Sequence, residues 1–148
     1  KWPARSFAAV ATTLAAHGMA AVLIGSRADA SAGAEVTAAA AGTRIINLIG
    51  ETDLPALAAV LSLSRGLVTN DSGAMHLAAA LGVPVTAIFG PTDDTATFPL
   101  GRAPRTVLTH DVWCRPCMLR ECPIDHRCMR GVTPDRVAAA VRASAAAS

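Results

Sequence analysis

The segment "LVTNDSGAMHLAAALGVPVTAIFGPT", residues 67–92, decides how the chain folds. Residues 66–70 read as a short strand, Asp71, Ser72 and Gly73 as a sharp polar corner, and 74–81 as a helix. The Gly82-Val83-Pro84 break ends that helix, and 84–90 reads as a second strand. A strand, a corner, a helix and another strand in so few residues point to an α/β chain.

The same alternation extends in both directions. Upstream, helical spacing over 6–16 closes at Gly18 and leads to a short buried strand, 20–25. An Ala-rich helix over 30–42 and a strand over 44–50 follow, then a helix over 54–65 that either Thr52 or Asp53 can cap. Downstream, 105–109 is the last strand and 133–147 a terminal helix, with Thr133 as cap, Pro134 at its first position and an alanine tail expected to fray after Ser144. This order favours right-handed crossovers, and so a three-layer sandwich of the Rossmann-like type: a mainly parallel sheet with helices on both faces.

Composition agrees. Apolar residues make up 52%, much of that alanine, and aromatic residues only 3%, so the core must be built from Val, Ile and Leu in packed strands. The 148 residues fit one domain over 1–148. A net charge of +2 is too small for a nucleic-acid partner, the one basic cluster being Arg115, Arg120, Arg127 and Arg130. No apolar run is long enough for a membrane span and no signal peptide opens the chain, so a cytoplasmic protein is expected. The abrupt start at Lys1, without Met, suggests a piece of a longer protein.

In an open parallel sheet, ligands bind beyond the carboxyl ends of the strands, where loops run into helix N-termini. Residues 70–76 occupy such a place. A helix N-terminus offers free N–H groups and partial positive charge, and Gly73 keeps no side chain between that backbone and an anion. Ser72 adds a hydroxyl and His76, one turn on, a ring N–H or a cation. Asp71 suits a cap, a loop contact or a sugar hydroxyl better than a phosphate. Helix capping alone explains Asp-Ser-Gly equally well, and a lone histidine is ordinarily structural. Two further corners fall on the same sheet edge: Gly90-Pro91-Thr92, and Gly25-Ser26 with Asp29 shortly after, which suits ribose hydroxyls or a helix cap.

The loop 110–131 carries all four cysteines, Cys114, Cys117, Cys122 and Cys128, spaced C-x2-C-x4-C-x5-C. Three readings stand open: a structural zinc held by the four thiolates, with His110 or His126 as substitutes; reduced thiols that pack; or disulfides formed on purification. The arginines of the loop are either a solvated face or a surface for an acidic acceptor.

At "NDSGAMHLAAALGVPVTAIFGPTD", with "KWP", "LIGSRAD", "NLIGETDLPALAAVLSLSRGLVTN" and "CRPCMLRECPIDHRC", the chain resembles the ADP-heptose:lipopolysaccharide heptosyltransferases, the heptosyltransferase II group most of all. The resemblance implies the C-terminal, donor-binding half of a GT-B glycosyltransferase that transfers heptose to the lipopolysaccharide inner core without metal and with inversion. It places Asp71, Ser72, Gly73 and His76 around the pyrophosphate and heptose of ADP-heptose, Thr52 near the adenine and Asp29 near the ribose. Gly25 and Ser26 would line the same donor edge. Members carry a phosphate-binding lysine two residues before the Trp-Pro pair, whereas Lys1 directly precedes Trp2; Lys1 is then a displaced equivalent or merely a chain end. The catalytic base and the acceptor site are implied in an absent N-terminal domain, so that this chain binds donor or ADP but transfers no sugar alone. No cofactor is required, and association with the inner face of the bacterial inner membrane is compatible. Two alternatives remain: another GT-B enzyme, such as a sugar-nucleotide epimerase or a transferase for a different donor, and a non-catalytic nucleotide-binding or interaction module.

Overall fold

The alternation is realised throughout the computed structural model, which describes residues 1–146. In chain order the elements are α1 (Ala4–Ala15), β1 (Ala21–Leu23), a 3-10 turn (Arg27–Asp29) leading into α2 (Ala30–Ala39), and β2 (Ile45–Asn47). There follow α3 (Leu54–Ser62), β3 (Leu67–Asn70), α4 (Gly73–Ala80), β4 (Val85–Ile88), β5 (Arg105–Leu108), the short α5 (Arg127–Arg130) and α6 (Pro134–Ala146). Every strand pairing is parallel.

The hydrogen bonding falls into two ladders, β1 with β2, and β3, β4 and β5 with β4 in the middle. Packing joins them, because Ile24, just past β1, lies against the same buried cluster as Leu67 and Val107.

The middle strand shows why both faces carry helices. Val85, Ala87 and Phe89 turn to one side, into a cluster with Leu61 from α3 and Met75, Ala78 and Ala79 from α4. Ile88 turns to the other, against Trp2, Val10, Val132 and Val137 from the α1 and α6 side. With no face left to solvent, β4 gains nothing from polar alternation; each of its larger side chains contributes roughly 1.5–3 kcal/mol by burial. Thin aromatic content is offset by close approach: a Cβ on Gly101 would sit 2.2 Å from the carbonyl oxygen of Ala79.

Helix ends differ from expectation by a few residues. Asp53, not Thr52, caps α3, its carboxylate accepting the Ala56 N–H at 2.9 Å. α1 starts at Ala4, earlier than its apolar spacing suggests, because Pro3 sets the turn and buried Trp2 anchors it, its indole N–H donating to the Val132 carbonyl at 2.9 Å. α6 does begin at Pro134, with the Thr133 hydroxyl accepting the Arg136 N–H at 3.5 Å. Ser144 is buried and the helix runs on to Ala146, while residues 147 and 148 of the tail expected to fray lie outside the described residues. No helix among the described residues is long and apolar enough to cross a membrane.

Candidate nucleotide-diphosphate site

The carboxyl end of β3 meets the N-terminus of α4 at Ser72, whose extended backbone (φ −162°) makes it the N-cap. Its hydroxyl oxygen accepts the Met75 N–H at 3.4 Å and lies 2.9 Å from the Thr69 hydroxyl. Thr69 in turn donates its single proton to the Asn70 carbonyl at 2.9 Å, so the shared contact uses the Ser72 proton. An anion at this corner must therefore turn the Ser72 hydroxyl away from Thr69.

Gly73 is exposed, and a Cβ built on it meets no atom within 4 Å. Neither chain packing nor a positive φ requires glycine here, while a ligand resting on the helix N-terminus would. His76 is exposed on the first turn of α4, and its side chain makes no hydrogen bond among the described residues. Asp71 does not cap the helix: its Oδ2 accepts the Thr97 hydroxyl at 3.3 Å, a loop contact.

A second group forms at the end of β1. The Asp29 carboxylate accepts both the Ser26 backbone N–H at 2.9 Å and the Ser26 hydroxyl at 2.8 Å, and pairs with the Lys1 ammonium. Lys1 and then Ser26 hold the Asp29 carboxyl below the usual carboxylate range. Gly25 leaves room for this, since a Cβ there would lie 3.1 Å from Asp29 Oδ2. The two groups are tied together at the chain start, because the Trp2 backbone N–H donates to Asn70 Oδ1 at 2.9 Å. Lys1 is thus brought to the strand-end edge, while Thr52, half-buried just before α3, makes no hydrogen bond among the described residues. Asn70 gave no signal in the sequence, as its partner lies 68 residues away.

The third corner, Gly90-Pro91-Thr92, is clasped by the cysteine loop. Arg115 donates from Nε to the Gly90 carbonyl at 2.6 Å and from Nη2 to Asp94 at 2.8 Å; the Met118 N–H donates to the Pro91 carbonyl at 2.9 Å. The basic cluster is accordingly split: Arg120, Arg127 and Arg130 are exposed, and the Arg115 side chain is 12% exposed.

All four cysteines line one open cleft, along with Lys1, Pro91 and Arg120. They are free thiols. No three His, Cys, Asp or Glu side chains among the described residues are gathered closely enough to hold a metal, so the zinc reading gains no support from this arrangement. The thiols differ in character. Backbone N–H groups of Ile124 and His126 around Cys122 push its thiol down, and burial pushes that of Cys128 up.

Parallel strands sandwiched by helices, with three corners at their carboxyl ends, make a Rossmann-like domain, and the solved structures that share it are GT-B-type glycosyltransferases. The chain matches E. coli ADP-heptose LPS heptosyltransferase II with a TM-score of 0.82 and 32% identity, over 99% of this chain and 42% of that one. It also matches the family 9 glycosyl transferase of Veillonella parvula, with a TM-score of 0.84 and 27% identity, over 100% and 42%. The glycosyltransferase family 9 (heptosyltransferase) model matches residues 1–127, and the chain belongs to that family. Among its relatives, lipopolysaccharide heptosyltransferase 2 of Escherichia coli K12 is 38% identical over 110 residues, 72% of this chain and 32% of the relative. Lipooligosaccharide heptosyltransferase 2 of Campylobacter jejuni is 37% identical over 95 residues, 64% and 30%. The matched stretch spans about a third of these curated relatives.

Proposed function

We propose that this chain supplies the nucleotide-sugar-binding part of an inverting heptosyltransferase that takes heptose from ADP-heptose to the lipopolysaccharide inner core. The observation that carries the reading is Gly73: an exposed glycine on a helix N-terminus, in open space, at a strand's carboxyl end. Backbone N–H groups there, with Ser72 and His76, stabilise the negative charge that grows on the departing ADP as the glycosidic bond breaks. Asp71 stays off the phosphates, holding the neighbouring loop. The Ser26, Asp29 and Lys1 group faces the ribose end, with Lys1 able to leave Asp29 for a phosphate, and Thr52 lies toward the base.

The acceptor site and the base that deprotonates the acceptor hydroxyl belong, in this reading, to the part of the relatives that this chain does not match. The lipopolysaccharide core is then met across a cleft, in the cytoplasm and at the inner face of the membrane. Titration calorimetry with ADP, UDP and GDP tests the donor assignment. A clear preference for ADP supports it, and equal binding of all three, or a preference for UDP, overturns it.

A further inference from the structure

Arg115 stands apart from the arginines that surround it in the sequence. Its guanidinium is nearly enclosed and spreads over one short segment, reaching the Gly90 carbonyl at 2.6 Å, Asp94 at 2.8 Å and the Thr92 carbonyl at 3.5 Å. Met118 adds its N–H to the Pro91 carbonyl at 2.9 Å, and Met129 fills the space beside Gly90, where a Cβ would come within 2.6 Å of its methyl carbon. Residues 90–94 therefore take their shape from the cysteine loop packed on them. From the far side of that segment the Thr97 hydroxyl shares its one proton between the Asp93 carbonyl, at 3.1 Å, and Asp71, at 3.3 Å.

We infer that Arg115 is a positioning residue for the diphosphate end of the donor site: it fixes the corner after β4 and, through Thr97 and Asp71, the corner before α4, without touching the ligand. This rests on the reading that the corner takes a nucleotide diphosphate. A planar guanidinium suits the task because it donates in fixed directions to carbonyls and a carboxylate at once; an ammonium offers one compact charge without those fixed directions. The role is directional as well. Arg115 braces the phosphate corners, while the Ser26, Asp29 and Lys1 group is built from other elements, so loss of Arg115 weakens grip on the phosphates and spares the nucleoside.

The test is calorimetric titration of the unsubstituted protein, Arg115→Lys, Arg115→Met and Asp94→Asn with ADP and with adenosine, each protein checked by its thermal melt. Both Arg115 variants are expected to bind ADP at least about tenfold more weakly, with adenosine affinity within about twofold of the unsubstituted protein and Asp94→Asn intermediate. Unchanged ADP affinity in a folded Arg115→Lys overturns the inference, as does an equal loss for ADP and adenosine, which marks a general loosening. If the Arg115 variants do not fold, Asp94→Asn decides by the same two affinities. Failure of the unsubstituted protein to bind ADP sinks the site reading itself, and the role of Arg115 with it.

Discussion

The Thr97 hydroxyl shares its one proton between Oδ2 of Asp71, at 3.3 Å, and the Asp93 carbonyl, at 3.1 Å, joining the loop after β4 to the corner before α4 across 26 residues of chain. The carboxylate next to the proposed phosphate site is thereby given work that keeps it out of the site. Replacing Asp71 by Ala removes a half-buried hydrogen bond and should cost about 0.5–1.5 kcal/mol in urea unfolding. ADP binding should weaken as the loop loosens. Tighter binding of ADP by the variant would mean that Asp71 acts chiefly by repelling phosphate.

Ser72 and His76 separate stability from binding. Ser72→Ala deletes the α4 cap and should cost roughly 0.5–2 kcal/mol, and Ser72→Gly only a few tenths. His76→Ala, at an exposed position whose side chain makes no hydrogen bond among the described residues, should stay within about 0.5 kcal/mol of the unsubstituted protein. Both alanine variants should lose affinity for ADP. A His76→Ala protein that binds ADP normally would return the histidine to the ordinary surface.

Much of this was legible in the sequence because it depends on local order. The β3–corner–α4–break–β4 unit, Ser72 at the helix start and the open Gly73 follow from residues within a turn of one another. Element ends were less so: Trp2, buried against distant segments, sets the start of α1. Long-range polar contacts left no trace at all. Arg115 sits among solvent-facing arginines in the sequence, and only the fold shows that Gly90, Thr92 and Asp94, 21 to 25 residues earlier, are its partners. Asn70 is a similar case, as its side chain serves Trp2.

The cysteines should react in a fixed order. Cys122, whose thiolate is stabilised by backbone N–H groups, is favoured at pH 7, and Cys128, raised by burial and 7% exposed, should come last. Limited iodoacetamide treatment under reducing conditions, followed by peptide mass mapping, reads the order. Early labelling of Cys128 would contradict it.

The Lys1–Asp29 pair should leave a signature in acid. The folded protein holds the Asp29 carboxyl below its usual value, so the ionised form is favoured on folding. Its contribution is therefore full above the ordinary carboxylate range and lost as pH falls through the depressed folded value. Asp29→Asn should be less stable than the unsubstituted protein at pH 7, by under about 1 kcal/mol because the pair is partly exposed, and the difference should vanish in strong acid. A difference that persists unchanged in strong acid would show that shape, and not charge, matters at Asp29.

The donor corner itself is best probed at its backbone. Amide chemical shifts of 15N-labelled protein, recorded with ADP and separately with adenosine, report whether a diphosphate rests on the α4 N-terminus. With ADP the largest changes should fall on Ser72, Gly73, Ala74 and His76, and with adenosine these four should hardly move. Equal shifts at the corner for both ligands, or ADP shifts centred elsewhere, would contradict a diphosphate seated at Gly73.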